Sequence, residues 1–167
     1  MPDDAGHVVT VDGRVDPESL GKTLPHEHLF IDATDAYFHP PDSAYERSLA
    51  REEVRLENLW KIRRNPKLCA DNLRLESVTE AVEELQRFQR SGGETVVDVT
   101  PKDVGGDPER VRGIARQTGL QVVHGTGYYT RVSHPERLDA ADVEDVASEF
   151  VSDVTDGLGD TDVRAGI

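Results

Sequence analysis

The chain has 167 residues, enough for one domain with a real core, and a formal net charge of −14 from 33 Asp and Glu against 19 Lys and Arg. An acidic surface of this kind repels nucleic-acid phosphates and anionic membranes, and no apolar run approaches the ~20 residues of a membrane span, so neither partner is expected. The single cysteine, Cys69, excludes an intramolecular disulfide, and the acidic start "MPDDAGHVVTVDG" has neither region of a signal peptide, so a cytoplasmic protein is expected.

The first element in chain order is "TLPHEHLFID", Thr23 to Asp32, which reads as a buried strand. A long polar, Pro-bearing passage over 34–75 follows, with one helix predicted around Arg51 to Arg63; it reads as a pocket wall or a plain surface insertion. From there the pattern becomes regular. "LESVTEAVEELQRFQRSGG" sets Val78, Val82, Leu85 and Phe88 on one helical face, with Ser77 and Glu80 as a capping box and Gly92 or Gly93 as the stop. "ETVVDVT" is a β-branched strand. "GGDPERVRGIARQTG" predicts a helix capped by Asp107, opened by Pro108 and ended by Gly119, with Val111, Ile114 and Ala115 inward. "LQVVHGTGYY" is another strand, and "LDAADVEDVASEFVSDVTDGLG" a long helix with Val143, Val146, Phe150, Val151 and Val154 expected inward. "DVRAGI" starts one more strand.

Helices of this length between short buried strands predict parallel βα units with right-handed crossovers. The periodicity also argues against disorder, despite the charge. It favours instead an acidic surface adapted to high salt, where screening relieves self-repulsion.

Within the first strand, side chains two apart share a side, so His26 and His28 face one way and Glu27 and Leu29 the other. Two neutral imidazoles aimed at a common point can bind one transition metal. Two hydrogen-bonded core histidines are the bland alternative, and for an isolated His-x-His that alternative is the stronger. The position favours the metal, because the pair lies at the C-terminal end of the first strand of a βα series, where barrels gather their active sites. Asp98, by strand parity, is expected to point into the barrel in a hydrogen-bonding role, and His124 to be a satisfied core or rim histidine.

"GKTLPHEHLFID" resembles the N-terminal signature of the phosphotriesterase family, Gly-x-x-Leu-x-His-Glu-His, at Gly21, Leu24, His26, Glu27 and His28. The resemblance continues through "ENLWKIRRNP", "SGGETVVDVTP", "GDPERVRGIARQTGLQVVHGTGYY" and "VRAGI". It implies an α/β fold of the (β/α)8 TIM-barrel type, here an incomplete barrel of about four βα units spanning residues 1–167, with 34–75 inserted after the first strand. It also implies two divalent metals, zinc above all but also manganese, cobalt or iron. An activated hydroxide would then hydrolyse a small-molecule phosphotriester, lactone or carboxylic ester. By position His26 and His28 are the implied metal ligands, and Tyr129, with its neighbour Tyr128, the implied substrate-pocket wall.

The resemblance has two departures. "PKDVGGDP" keeps Gly105, Asp107 and Pro108 of a loop pattern but carries Asp103 for a glycine and Gly106 for an arginine. The chain also ends before the family's bridging lysine or glutamate, two later histidines and an aspartate. It is therefore expected to be inactive alone. The alternatives are a non-catalytic half-barrel module, self-associating as a homodimer, or one half of a split enzyme completed by a C-terminal fragment.

Overall fold

The computed structural model describes residues 6–167. A two-residue turn, Val11-Asp12, opens it, pairing β1 (Val8–Thr10) with β2 (Gly13–Val15) as an antiparallel hairpin. This hairpin is legible in "HVVTVDGRV" but falls outside the elements predicted above. It docks on the sheet through Val11 N–H donating to the Val122 carbonyl at 2.9 Å.

The first barrel strand, β3 (Thr23–Glu27), is shorter than the sequence pattern predicts. Pro25 lies inside it, and a proline brings no amide donor to the ladder. β4 (Ile31–Asp32) resumes after a break and pairs antiparallel with β5 (Arg74–Leu75). These two short strands clip together the ends of the long excursion, and Arg74 Nε lies 3.2 Å from Asp32 Oδ2. Burial acts against ionisation there, yet the Thr34 hydrogen bonds and the Arg74 guanidinium together hold the Asp32 carboxyl below its usual value. Between the clip strands run α1 (Thr34–Tyr37), α2 (Ala44–Leu49) and α3 (Leu56–Ile62). The single helix predicted around Arg51 to Arg63 is therefore shorter. It begins only at Leu56, where the Asn58 side chain accepts from the Arg55 amide, and a separate helix precedes it.

The regular part follows the pattern more closely. α4 (Val78–Arg90) starts where Ser77 accepts the Glu80 amide, and it buries Val82 and Leu85. β6 (Thr95–Asp98) runs parallel to β3, and β7 (Gln121–His124) runs parallel to β6, giving the sheet order β3-β6-β7. α5 (Pro108–Thr118) joins the last two, capped by Asp107 and stopped by Gly119 at φ 74°. Val96 and Val122 pack with Val82 and Leu85 of α4 and with Val111, Ile114 and Ala115 of α5, so this core lies between the sheet and its helices.

Two expectations are corrected beyond β7. α6 (Val143–Thr155) forms as predicted, but Val143, Val151 and Val154 are 79%, 52% and 40% exposed. The side turned inward carries Asp153, which is buried, with Val146, Glu149 and Phe150 partly covered. Asp153 is buried because it is bonded: Thr126 Oγ1 donates to its carboxylate, and its carbonyl accepts from Ala165 N–H. A polar side chain with partners has displaced the apolar stripe that periodicity alone selects. The second correction concerns "DVRAGI", which is extended but not a regular strand. Gly166 N–H donates to the His124 carbonyl, and Thr126 N–H to the Ile167 carbonyl, so it lies along the end of β7. The architecture is thus α/β, a parallel sheet flanked by helices in the manner of a partial (β/α)8 barrel.

Candidate functional site

The position of the two histidines depends on an irregularity in β3. Thr23 and Leu24 pair with Thr95 and Val96, but the next pair is Glu27 with Asp98, so three residues of β3 span two of β6. This bulge reverses the alternation. Leu24 faces the helical core. The extra residue brings Glu27 level with Asp98, and Glu27 lines an open groove of about 780 Å³ together with Leu24, His28, Ala81 and Leu85. His26 is exposed and His28 partly covered.

The two rings sit edge to face, with centroids 5.7 Å apart at 85°. Two imidazoles bound to one ion at ~2.1 Å each hold their centroids within roughly 6.5 Å, so the pair fits as two ligands of one metal. No group of three or more His, Cys, Asp or Glu that could hold a metal occurs among the described residues. Two imidazoles alone are an incomplete donor set for a metal ion.

A chain of polar contacts runs from His28 into the protein. His28 Nδ1 lies 2.9 Å from Thr100 Oγ1. Thr100 in turn donates to Asp98 Oδ1 twice, from its hydroxyl at 2.6 Å and from its amide at 2.9 Å. Asp98 and Thr100 are fully buried. Asp98 has the hydrogen-bonding role expected of it but not the expected direction. It shares a side of β6 with Val96, the side that faces α4 and α5. His124, its partner in register, shares the corresponding side of β7 with Val122 and is 2% exposed. Its Nδ1 lies 3.7 Å from Asp98 Oδ2, and neither atom has a hydrogen-bond partner. His124 is thus a core histidine, as expected, but not a satisfied one. Burial pushes its pKa down, only partly opposed by the charges of Asp98 and Asp107.

The tyrosines sit among other partners. Tyr128 donates its hydroxyl to Glu149 Oε1 at 2.7 Å, and its ring packs against Phe150 and His134. Tyr129 is 57% exposed and stands edge to face with Tyr37 of the excursion, 6.2 Å between centroids. Its amide donates to both oxygens of Asp103, at 3.2 and 3.0 Å, and Ser133 Oγ donates to the same carboxylate at 2.7 Å. Asp103, a departure from the family's loop pattern, thus holds the Tyr129 loop in place. Among the described residues, no ring or hydrogen-bond contact joins either tyrosine to the histidine pair. The roles of Thr100 and Asp103 are not among those the sequence predicts. The signal for Thr100 is the Asp-x-Thr at the end of β6, a spacing at which a carboxylate caps the amide two residues on. "DAT" at 32–34 repeats that device.

The sequence matches the phosphotriesterase family over residues 6–167. It is 37% identical over 164 residues to the N-acetyltaurine hydrolase of Tetraodon nigroviridis and 35% identical to that of Rattus norvegicus, in both cases covering 98% of this chain and 46% of the relative. A resiniferatoxin-binding protein from Rhodobacter sphaeroides superposes with a TM-score of 0.92 at 36% identity, covering 98% of this chain and 45% of that one. An organophosphorus hydrolase from Deinococcus radiodurans gives 0.65 at 25% identity, covering 96% and 42%. The chain spans about half the length of the relatives it matches. A match that runs through nearly every described residue and carries the strand with its paired histidines leads to one conclusion: the chain belongs to the phosphotriesterase family.

Proposed function

We propose that these 167 residues supply the first two metal ligands, His26 and His28, of a metal-dependent hydrolase. The observation that carries this reading is the edge-to-face pair of imidazoles at the end of β3, with centroids 5.7 Å apart. Both imidazoles act as neutral donors through a ring nitrogen. A bound divalent ion, zinc first among the candidates, supplies Lewis acidity that lowers the pKa of water and polarises an acyl or phosphoryl oxygen. The remaining ligands and the substrate pocket come from elsewhere. Asp98 is engaged by Thr100, while Glu27 lines the open groove that His28 also lines. With no third donor grouped with the two imidazoles among the described residues, the chain by itself is inactive in this reading.

The motif alone favours a phosphotriester, lactone or carboxylic ester. The relatives named N-acetyltaurine hydrolase, at 35–37% identity, support the amide of a small N-acyl compound as the first class to test. The organophosphorus hydrolase, at 25%, supports the ester classes second.

Titration of the metal-stripped chain with zinc, followed by competition with a chromophoric chelator, tests the ligand assignment. His26→Ala and His28→Ala should each weaken binding at least roughly tenfold. Unchanged affinity in both variants would refute the assignment. Turnover of an N-acyl amide, ester or lactone by the purified chain, lost in His26→Ala, would refute the inactivity.

A further inference from the structure

We infer that Thr100 is a positioning residue that decides which nitrogen of His28 is free for a ligand: Nδ1 carries the proton and Nε2 keeps the lone pair. The inference deepens the metal reading of the histidine pair and rests on it.

The tautomer follows from a count of protons. Asp98 Oδ1 accepts from both the amide and the hydroxyl of Thr100, at 2.9 and 2.6 Å. A carboxylate only accepts, and a hydroxyl has one proton to give, so the Thr100 hydroxyl proton is committed to Asp98. What Oγ1 turns to His28 Nδ1, 2.9 Å away, is a lone pair. That contact is a hydrogen bond only if Nδ1 bears the hydrogen. In a neutral imidazole, Nε2 is then bare. The burial of Asp98 and Thr100 keeps the arrangement clear of competing solvent. Free histidine in water favours the opposite tautomer, so the protein selects the less common form. His26 makes no side-chain hydrogen bond among the described residues and serves as an internal comparison.

The test needs no activity. In the metal-free, 15N-labelled chain at mildly alkaline pH, long-range proton–nitrogen spectra separate protonated from bare ring nitrogens. His28 should show a protonated Nδ1 and a bare Nε2, while His26 shows the solution-like preference. Thr100→Val should abolish the His28 preference and weaken zinc binding roughly tenfold in the chelator competition. Thr100→Ser, which keeps the hydroxyl, should restore both. A protonated Nε2 on His28 in the wild-type chain would overturn the inference whatever the variants do. If His28→Ala weakens zinc binding and Thr100→Val does not, the positioning role falls and the ligand reading stands. If His28→Ala leaves binding unchanged, the ligand reading falls and the positioning role falls with it.

Discussion

His124 shows how one buried side chain sets a pH response. Its folded pKa lies below the unfolded value of 6.5, because the charged form is disfavoured where the ring is buried. The unfolded chain therefore binds the proton more readily, and the stability His124 contributes is complete above about pH 6.5 and is lost as pH falls from there towards its folded value. Urea unfolding measured stepwise below pH 6.5 should show this acid-side decline. His124→Gln should flatten it in that range, even if the variant is less stable at neutral pH. An unchanged slope would refute the assignment. Single residues are also where the sequence is least explicit. His26 and His28 are legible because the signature is compact. The direction of Asp98 is not, because alternation puts it on one side with Val96 but cannot say which side of β6 faces the helices. Thr100 is hidden because its role depends on a partner 72 positions away.

Among the elements, α4 and α5 are legible nearly to their ends, since cap and stop agree in each, although Val78 of the expected α4 face is exposed. β6 is legible in place, and β7 ends at His124, short of the strand expected through Tyr129. α6 is legible as a helix but not as to which side is covered. Val143, Val151 and Val154 satisfy the apolar spacing, yet the inward side is the one on which Asp153 finds its partners. Substitution distinguishes the two orientations. Val151→Lys should change unfolding free energy by no more than about 0.5 kcal/mol, whereas Ile114→Ala in the α5 core should cost about 2–5 kcal/mol. A loss of several kcal/mol at Val151 would show that this side of α6 is covered after all. The long excursion is the least legible element, because short helices and 3-10 turns carry too few periods to declare themselves. What tethers it, the two-residue clip of β4 and β5, is shorter than any pattern can resolve.

For the molecule as a whole, charge dominates the response to solvent. With a net charge of −14 the folded state repels itself in dilute buffer, and at molar salt the Debye length shrinks to about 3 Å. The adaptation to high salt proposed from composition then has a direct consequence: the thermal midpoint should rise steadily between low and molar sodium chloride. A flat or falling midpoint would refute it. The kink at Pro25 has a consequence at this scale too, one concerning how copies of the chain meet. β3 is the outer strand of its sheet, the side from which a neighbour's strand would add. A residue with no amide proton, followed at once by a step in register, offers an incoming strand no continuous template. The irregularity beside the histidines therefore makes this side of β3 a poor template for an added strand.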